Sequence, residues 1–194
     1  MEKELKAYLR ENEQICWEGR PAQFLMLDQA NRFRILLKWI LTVAVAAGLL
    51  VAYYTQNPAP TMGFSGVVVL VAAVIVAAPI LEYQSLKKAR YWITTQRAIL
   101  MTSDKSLYYM ELDELDEFGV LNDAADAPCL VLGRCALEES RGQLRWRACH
   151  PKVDLQAHED ADRAQGMIFY CIQNADAAVR LLEQRTRPGT AKSA

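Results

Sequence analysis

The sequence contains little histidine, and its cysteines are not arranged in pairs. It has 2 histidines and 5 cysteines in 194 residues, and the cysteines (Cys16, Cys129, Cys135, Cys149 and Cys171) are irregularly spaced with no C-x-x-C motif. Structural zinc sites use closely spaced ligands, and disulfide frameworks use an even number of cysteines. We therefore expect no metal site, no cofactor and no disulfide scaffold, and we find no convincing catalytic constellation.

Charge is absent from two long stretches, residues 40–54 and 64–81, although the whole chain has 22 basic and 23 acidic residues. The first apolar run covers residues 36–54 and includes Lys38; the second covers residues 64–81. At 1.5 Å per residue, about 20 helical residues cross a hydrocarbon layer of roughly 30 Å. Core helices of soluble proteins normally have a polar stripe, and these runs have none. The pattern predicts a transmembrane helical hairpin over residues 35–83, with spans at about 36–54 and 64–81.

The flanking charges predict the orientation of this hairpin. The connector, residues 55–63, is uncharged and contains Pro58 and Pro60. Basic residues precede the first span and follow the second, and the positive-inside rule places such flanks in the cytoplasm. We therefore expect a multi-pass protein of the inner membrane with both termini cytoplasmic. No small-residue cleavage site follows the first run, so we expect no signal peptide.

Two sets of residues are assigned to the hairpin. Amphipathic and basic side chains near its ends are predicted to lie at the membrane interface; they are Lys38, Trp39, Tyr53, Tyr54, Tyr83, Lys87, Lys88 and Arg90. Small residues at a spacing of four permit close helix approach in lipid; they are Ala44, Gly48, Ala52, Ala73 and Ala77. We expect this second set to pack the two helices together, with dimerisation as an alternative.

After the hairpin the sequence changes to short apolar and β-branched runs separated by turns. Strands are predicted near residues 91–94, 98–102, 107–112, 118–121, 129–135, 144–149 and 167–172, followed by an amphipathic helix that ends before Pro188. The predicted organisation is a cytoplasmic lead-in (1–34), the hairpin (35–83), a basic juxtamembrane link (84–90), a domain of strands and one helix (91–187) and a disordered tail (188–194).

Three segments resemble the bacterial pleckstrin-homology-like (PH-like) two-span membrane proteins. They are Glu13-Gln14-Ile15-Cys16-Trp17-Glu18-Gly19-Arg20-Pro21, Tyr91-Trp92-Ile93-Thr94-Thr95-Gln96-Arg97, and Phe169-Tyr170-Cys171-Ile172 with the helix that follows. The resemblance implies an antiparallel PH-like barrel or sandwich of seven strands capped by a C-terminal helix. It implies no enzyme chemistry and transfers no catalytic residue.

The charges of the soluble domain favour a protein partner over a nucleic acid or a lipid. Residues 91–187 contain 11 basic and 16 acidic residues, and a net negative domain is repelled by an anionic leaflet. We single out Arg145 and Arg147, which alternate with Trp146 on a predicted strand, and Glu114 and Glu117 in an acidic segment, as a possible interaction surface.

The sequence thus predicts a membrane-anchored module that binds a protein partner or a second copy of itself. Two alternatives stay open. One is a module that senses lipid headgroups through Lys87, Lys88 and Arg90 together with the lead-in aromatics Trp17, Phe24 and Phe33. The other is an unrecognised enzyme with a nucleophilic pair at Cys149 and His150.

Overall fold

The computed structural model describes residue 5 and residues 8–156, 163–185 and 191–193. The chain divides into two compact units. The β unit comprises Met1–Phe24 and Ser85–Ala194, and the hairpin unit comprises Leu25–Gln84. The lead-in predicted as a separate segment is therefore divided, because its first part belongs to the β unit.

The hairpin unit consists of two long apolar helices, α1 (Arg32–Gln56) and α2 (Met62–Lys88), the last turn of which lies in the β unit. Both are long and apolar enough to cross a membrane, by length and composition. The turn before α1 is held by Asp28, whose carboxylate accepts hydrogen bonds from the backbone and side-chain N–H groups of Asn31 at 2.8 and 2.9 Å. Pro58 follows α1 closely, which is consistent with its helix-breaking chemistry.

The two helices touch near each end of the hairpin. At one end the indole N–H of Trp39 donates to the carbonyl oxygen of Val76 at 3.1 Å. At the other end the hydroxyl of Tyr54 lies 2.9 Å from that of Ser65, and the rings of Tyr53 and Phe64 are 4.3 Å apart. Hydrogen bonds and aromatic contacts therefore hold the ends of α1 and α2 together.

The small residues do not form the contact that the sequence predicted. Ala44, Gly48, Ala52 and Ala73 are exposed, and a Cβ added at Gly48 would meet no atom within 4 Å. Ala77 is half-buried. The partly covered side of α1 instead includes Thr42 and Ala46, which lie on another face of the helix. The predicted packing face within the hairpin was wrong, because a spacing of four recurs on more than one face of an alanine-rich helix.

The first sheet of the β unit has four antiparallel strands in the order β1-β2-β3-β4. They are β1 (Ile15–Gly19), β2 (Arg90–Thr94), β3 (Arg97–Met101) and β4 (Leu107–Glu111). In the register of β1 and β2, Gly19 faces Tyr91 and Trp17 faces Ile93. The hairpin unit is therefore inserted in the connection between two paired neighbouring strands.

The second sheet has the order β7-β8-β6-β5-β9. Its strands are β5 (Phe118–Leu121), β6 (Cys129–Leu132), β7 (Lys152–Val153), β8 (Ala164–Phe169) and β9 (Ala191–Ser193). Pairing is antiparallel except between β5 and β9. The two sheets meet at isolated bridges, Tyr109 with Arg163 and Pro21 with Ile172, and do not form a closed barrel.

A C-terminal helix covers the core between the two sheets, as the sequence predicted. This helix, α4 (Ala175–Arg185), buries Ala175, Ala178 and Leu182. They join one hydrophobic cluster with side chains of both sheets, including Tyr91, Leu100 and Phe169. The spacing of the buried positions at three and four residues is that of one helix face.

The segment after β6 differs from its prediction. Strands were predicted at residues 129–135 and 144–149, but β6 ends at Leu132 and a helix, α3 (Arg134–Cys149), follows. Gly133 has φ of +90°, and an added Cβ there would lie 2.5 Å from the carbonyl oxygen of Gln165. Gly133 therefore allows the sharp turn from strand to helix. The first predicted strand is therefore wrong from residue 133 onward. The second, at residues 144–149, is wrong throughout because these residues are helical.

The predicted disordered tail also differs in part. Residues Ala191–Ser193 form β9, which pairs in parallel with β5, a strand that would otherwise be the edge of this sheet. An edge strand offers unpaired backbone groups for such an addition. Residues 188–190 and 194 lie outside the described part of the chain.

Candidate functional site

A buried ion pair joins the segment before the hairpin to the sheet after it. The guanidinium of Arg97 donates to both carboxylate oxygens of Glu13, at 2.9 and 3.0 Å. The same carboxylate accepts from the hydroxyl of Thr94 at 2.7 Å and from the backbone N–H of Arg10 at 2.8 Å. Glu13 is 7 % exposed and Arg97 8 % exposed. A buried charge pair is tolerated when its remaining hydrogen-bonding capacity is satisfied, as it is here.

The charge of Glu13 is stabilised by these contacts. Burial alone would raise the pKa of Glu13, but the hydrogen bonds from Arg97, Arg10 and Thr94 together hold it below the ordinary carboxyl value. The guanidinium of Arg97 also lies 4.9 Å from the ring centroid of Tyr109. Glu13 is therefore held as a carboxylate, and its pair with Arg97 is enclosed by protein.

Trp17 of β1 attaches the same lead-in segment to the second sheet. Its ring stacks on Phe169 of β8, with centroids 6.1 Å apart and planes 5° from parallel. A Cβ added at Gly19 would lie 2.0 Å from the indole of Trp17. Only glycine leaves room for the indole at this position, so the spacing of Trp17 and Gly19 has a direct steric reason.

Other residues of the three motif segments meet near Tyr91, at the start of β2. The hydroxyl of Tyr91 accepts from the backbone N–H of Tyr170 at 3.2 Å, and Pro21 forms a bridge with Ile172. Phe24 packs edge-on against the ring of Tyr170 at 5.3 Å. Burial raises the pKa of Tyr91, so its hydroxyl stays protonated. Residues from all three segments are thus in mutual contact within the β unit.

The four residues predicted as an interaction surface do not form one exposed face. Arg145 and Glu117 are buried at 6 % and 7 % exposure, Arg147 is half-buried, and only Glu114 is exposed. Glu114 is paired with Arg163, and Glu117 lies 3.5 Å from the guanidinium of Arg134. The prediction that Arg145 and Arg147 share a strand face was wrong because both lie in α3.

The acidic segment is bound to basic residues from distant parts of the chain. Besides the pairs at Glu114 and Glu117, Glu111 pairs with Arg10 at 2.7 Å, and this contact raises the pKa of Arg10. The backbone N–H of Arg134 donates to Asp116 at 3.0 Å. These carboxylates hold the lead-in, α3 and the start of β8 around the β4–β5 connection.

Helical geometry exposes a different residue of α3, Trp146. Leu144, Arg145, Ala148 and Cys149 are buried, whereas Trp146 is 53 % exposed. The ring of His150 lies against the Trp146 ring, with centroids 4.3 Å apart. The exposed aromatic pair, Trp146 with His150, is the candidate interaction surface. The sequence analysis missed it because it placed residues 144–149 in a strand and chose Arg145 and Arg147, which alternate with Trp146, as the interaction residues.

The proposed nucleophilic pair is not arranged for catalysis. Cys149 is buried, while the neighbouring His150 is exposed and packed on Trp146. A nucleophile must be reachable by substrate and lie within hydrogen-bond distance of its base. Across the described residues, no group of three or more His, Cys, Asp or Glu side chains is placed to hold a metal ion.

The predicted membrane-interface residues lie near the ends of α1 and α2. Trp39 and Tyr54 contact the opposite helix, and Tyr53 bonds the hydroxyl of Thr61 at 3.0 Å. Lys38, Lys87 and Lys88 are exposed, whereas Tyr83 and Arg90 are half-buried. Three of the aromatic residues therefore also fasten the hairpin.

No protein-family model, curated protein or solved structure matches this chain.

Proposed function

We propose that this chain is a membrane-anchored assembly module of the bacterial inner membrane. In this proposal α1 and α2 cross the bilayer as a hairpin, and the β unit lies in the cytoplasm. The β unit binds a protein partner, or a second copy of the chain, through the exposed Trp146 and His150 of α3.

The pairing of β1 with β2 supports a hairpin whose two flanks lie on the same side of a membrane. β1 precedes α1 and β2 follows α2, yet the two strands are paired from Gly19 with Tyr91 to Ile15 with Thr94. A sheet cannot form across a bilayer, so residues before and after the hairpin share one side of any membrane that it spans. The basic residues at both flanks favour the cytoplasmic side.

The strand order supports the resemblance to PH-like proteins. One sheet has four strands, and β5, β6 and β8 form the main part of the other, with α4 packed on the core between them. In this interpretation the hairpin is inserted between the first two strands of a PH-like domain, and α3 is inserted before its last strand.

The exposed Trp146 is the single observation that carries the binding proposal. Tryptophan is enriched among the residues that contribute most to protein–protein binding energy. Among the described residues of the β unit, Trp146 is the one exposed tryptophan, since Trp17 and Trp92 contact the core.

Site-specific photo-crosslinking tests this proposal in cells. The side chain of Trp146 is replaced by p-benzoylphenylalanine in the full chain, and covalent adducts are identified by mass spectrometry. A matched control places the same photo-reactive residue at Arg180, an exposed position on α4. We expect one discrete adduct from position 146 and none from position 180.

The mass of the adduct distinguishes the two kinds of partner. A species of twice the chain mass identifies a second copy, and any other discrete mass identifies a different protein. No adduct at position 146, or equal adducts at both positions, would contradict the assignment of Trp146.

Lipid-headgroup sensing is the second candidate, because Lys87 and Lys88 are exposed in the last turn of α2. Each basic residue near an anionic leaflet contributes about 1 kcal/mol. The test is flotation of the β unit, with residues 25–84 replaced by a short linker, on phosphatidylglycerol vesicles. Binding that is lost in the Lys87→Gln, Lys88→Gln variant would support this candidate.

A further inference from the structure

The segment that leads into α1, residues 25–34, presents large apolar and basic side chains together. Leu25 is 70 % exposed, and Phe33, in the first turn of α1, is 72 % exposed. Arg32 and Arg34 stand on either side of Phe33 in the sequence, and both are exposed. Uncovered aromatic and aliphatic side chains next to cations are typical of a segment that lies at a membrane surface.

The acidic group of this segment is turned inward. Asp28 is the one acidic residue among residues 25–34, and it is 2 % exposed. Its carboxylate accepts hydrogen bonds from the backbone and side-chain N–H groups of Asn31, and its backbone carbonyl accepts from the N–H of Arg32 at 2.9 Å. The exposed charges of the segment are therefore positive, which makes it complementary to an anionic surface.

The length of α1 places its first turn at the membrane surface in the proposed hairpin. The helix has 25 residues, about 37 Å at 1.5 Å per residue, whereas a hydrocarbon layer is roughly 30 Å thick. The apolar run at residues 36–54 alone spans about 28 Å of that layer. Phe33 lies on the same exposed face of α1 as Leu37 and Ile40, because positions i, i+4 and i+7 share one side of a helix. The first turn therefore continues the lipid-facing side of α1 into the headgroup layer.

From these observations we propose that residues 25–34 form an interfacial anchor that binds the headgroups of anionic phospholipids. Leu25 and Phe33 lie at the boundary between the headgroups and the acyl chains, and Arg32 and Arg34 donate hydrogen bonds to lipid phosphates. The positive charge of the exposed side chains favours anionic over zwitterionic lipids. The proposal rests on the proposed membrane hairpin.

A lipid surface is the occupant that the position of the segment favours. The segment runs directly into α1, so its side chains are held within a few residues of the hydrocarbon layer. Any protein partner would have to displace the headgroups that already surround this position. Lys87 and Lys88, the basic residues of the headgroup-sensing candidate, lie at the end of α2 and are not part of this segment.

Photo-crosslinking to lipid tests the proposal in the full chain. p-Benzoylphenylalanine replaces Leu25 or Phe33, and the protein is reconstituted in nanodiscs of phosphatidylcholine with a minor share of phosphatidylglycerol. After illumination, the mass of each adduct identifies the lipid that was captured. We expect lipid adducts at both positions, with phosphatidylglycerol enriched several-fold over its share of the bilayer.

Two control positions and one double variant make the test specific. The same photo-reactive residue at Val43, exposed in the middle of α1, should capture the two lipids in proportion to the bilayer composition. At Leu155, an exposed leucine of the β unit, it should capture no lipid. Arg32→Gln with Arg34→Gln should remove the enrichment of phosphatidylglycerol at position 33 and leave capture at Val43 unchanged.

The results that would overturn the proposal are distinguishable from failure of the hairpin. Capture at position 33 in proportion to the bilayer composition, or an enrichment that survives the double variant, would contradict binding of anionic headgroups. Protein adducts in place of lipid adducts would identify a protein as the occupant. Lipid at position 43 but none at positions 25 and 33 would refute the anchor alone, whereas absence of lipid at position 43 would refute the membrane hairpin and the proposed function.

Discussion

Glu13 and Arg97 are 84 residues apart in the sequence, yet they form the most completely satisfied charge pair of the β unit among the contacts described. Glu13 accepts four hydrogen bonds, two of them from Arg97. Because the pair connects the segment before the hairpin to the sheet after it, its main effect is on the stability of the whole β unit.

Replacing Glu13→Gln should destabilise the protein by about 3–5 kcal/mol, because Arg97 would remain buried without its counter-ion. Unfolding of the full chain in detergent micelles, followed by tryptophan fluorescence, measures the change. Glu18→Gln, in the strand β1 that follows Glu13, is the control, since the pair of Glu18 with Arg20 at 3.7 Å is exposed. The control should cost about 0–1 kcal/mol, and equal losses for both variants would contradict the assignment.

The pH dependence of this difference follows from the lowered pKa of Glu13. A carboxylate whose pKa is lower in the folded than in the unfolded state contributes stability above its unfolded value, here 4.5, and loses it as the pH falls through the folded value. The stability gap between the natural protein and Glu13→Gln should therefore be constant at neutral pH and narrow below pH 4.5. A gap that widens in acid would show that Glu13 is not held as a carboxylate.

At the scale of elements, β1 shows how a short motif acts through packing. The indole of Trp17 lies across Gly19 and stacks on Phe169. The strand itself covers Ile15–Gly19. Its pairing with β2 could not be derived from residue pattern, because the intervening hairpin separates the two strands by about 70 residues of chain.

Gly19→Ala should therefore destabilise the β unit, because the added methyl would meet the Trp17 ring at 2.0 Å. Gly48→Ala provides the matched control, since a Cβ at Gly48 meets no atom within 4 Å. Thermal unfolding of both variants in detergent measures the difference. A drop in the melting temperature for Gly48→Ala equal to that for Gly19→Ala would contradict the steric explanation.

The helix α3 shows where residue pattern misled the sequence analysis. Leu144, Trp146 and Ala148 alternate with arginines, as in a half-buried strand, but the buried positions are 144, 145, 148 and 149. That spacing is helical. Two sequence signals favoured the helix: residues 134–149 contain no β-branched residue, and Gly133 precedes them. The candidate interaction surface was missed for the same reason, since the strand prediction directed attention to Arg145 and Arg147, while the helix buries Arg145 and exposes Trp146.

At the scale of the whole molecule, the two apolar helices and the C-terminal helix were predictable because a long uncharged run and an amphipathic period are both local features of the sequence. The relation between β1 and the rest of the sheet was not, because it depends on a contact across the hairpin. The division into units follows from that contact: the β unit is formed by the two flanks of the hairpin together.

Replacing residues 25–84 with a short glycine-serine linker should yield a soluble, folded β unit, because the chain leaves and re-enters it on paired strands. Circular dichroism and gel filtration measure folding and solubility. A second protein that begins at Ser85, and therefore lacks β1 and Glu13, should aggregate or unfold. If the shorter protein is equally stable, β1 is dispensable to the unit.

The central claim is that the two flanks of the hairpin form a single β unit on one side of the membrane. Thiol accessibility in intact cells tests this claim most directly. The variant Asn57→Cys places a thiol in the exposed connector, while the native Cys16 and Cys135 lie before and after the hairpin and are half-buried. With a maleimide that cannot cross membranes, we expect labelling of the introduced thiol in intact cells, and labelling of Cys16 and Cys135 only after permeabilisation. Labelling of either Cys16 or Cys135 in intact cells would contradict the account. If one of them were labelled in intact cells and the other only after permeabilisation, the two flanks would lie on opposite sides of the membrane.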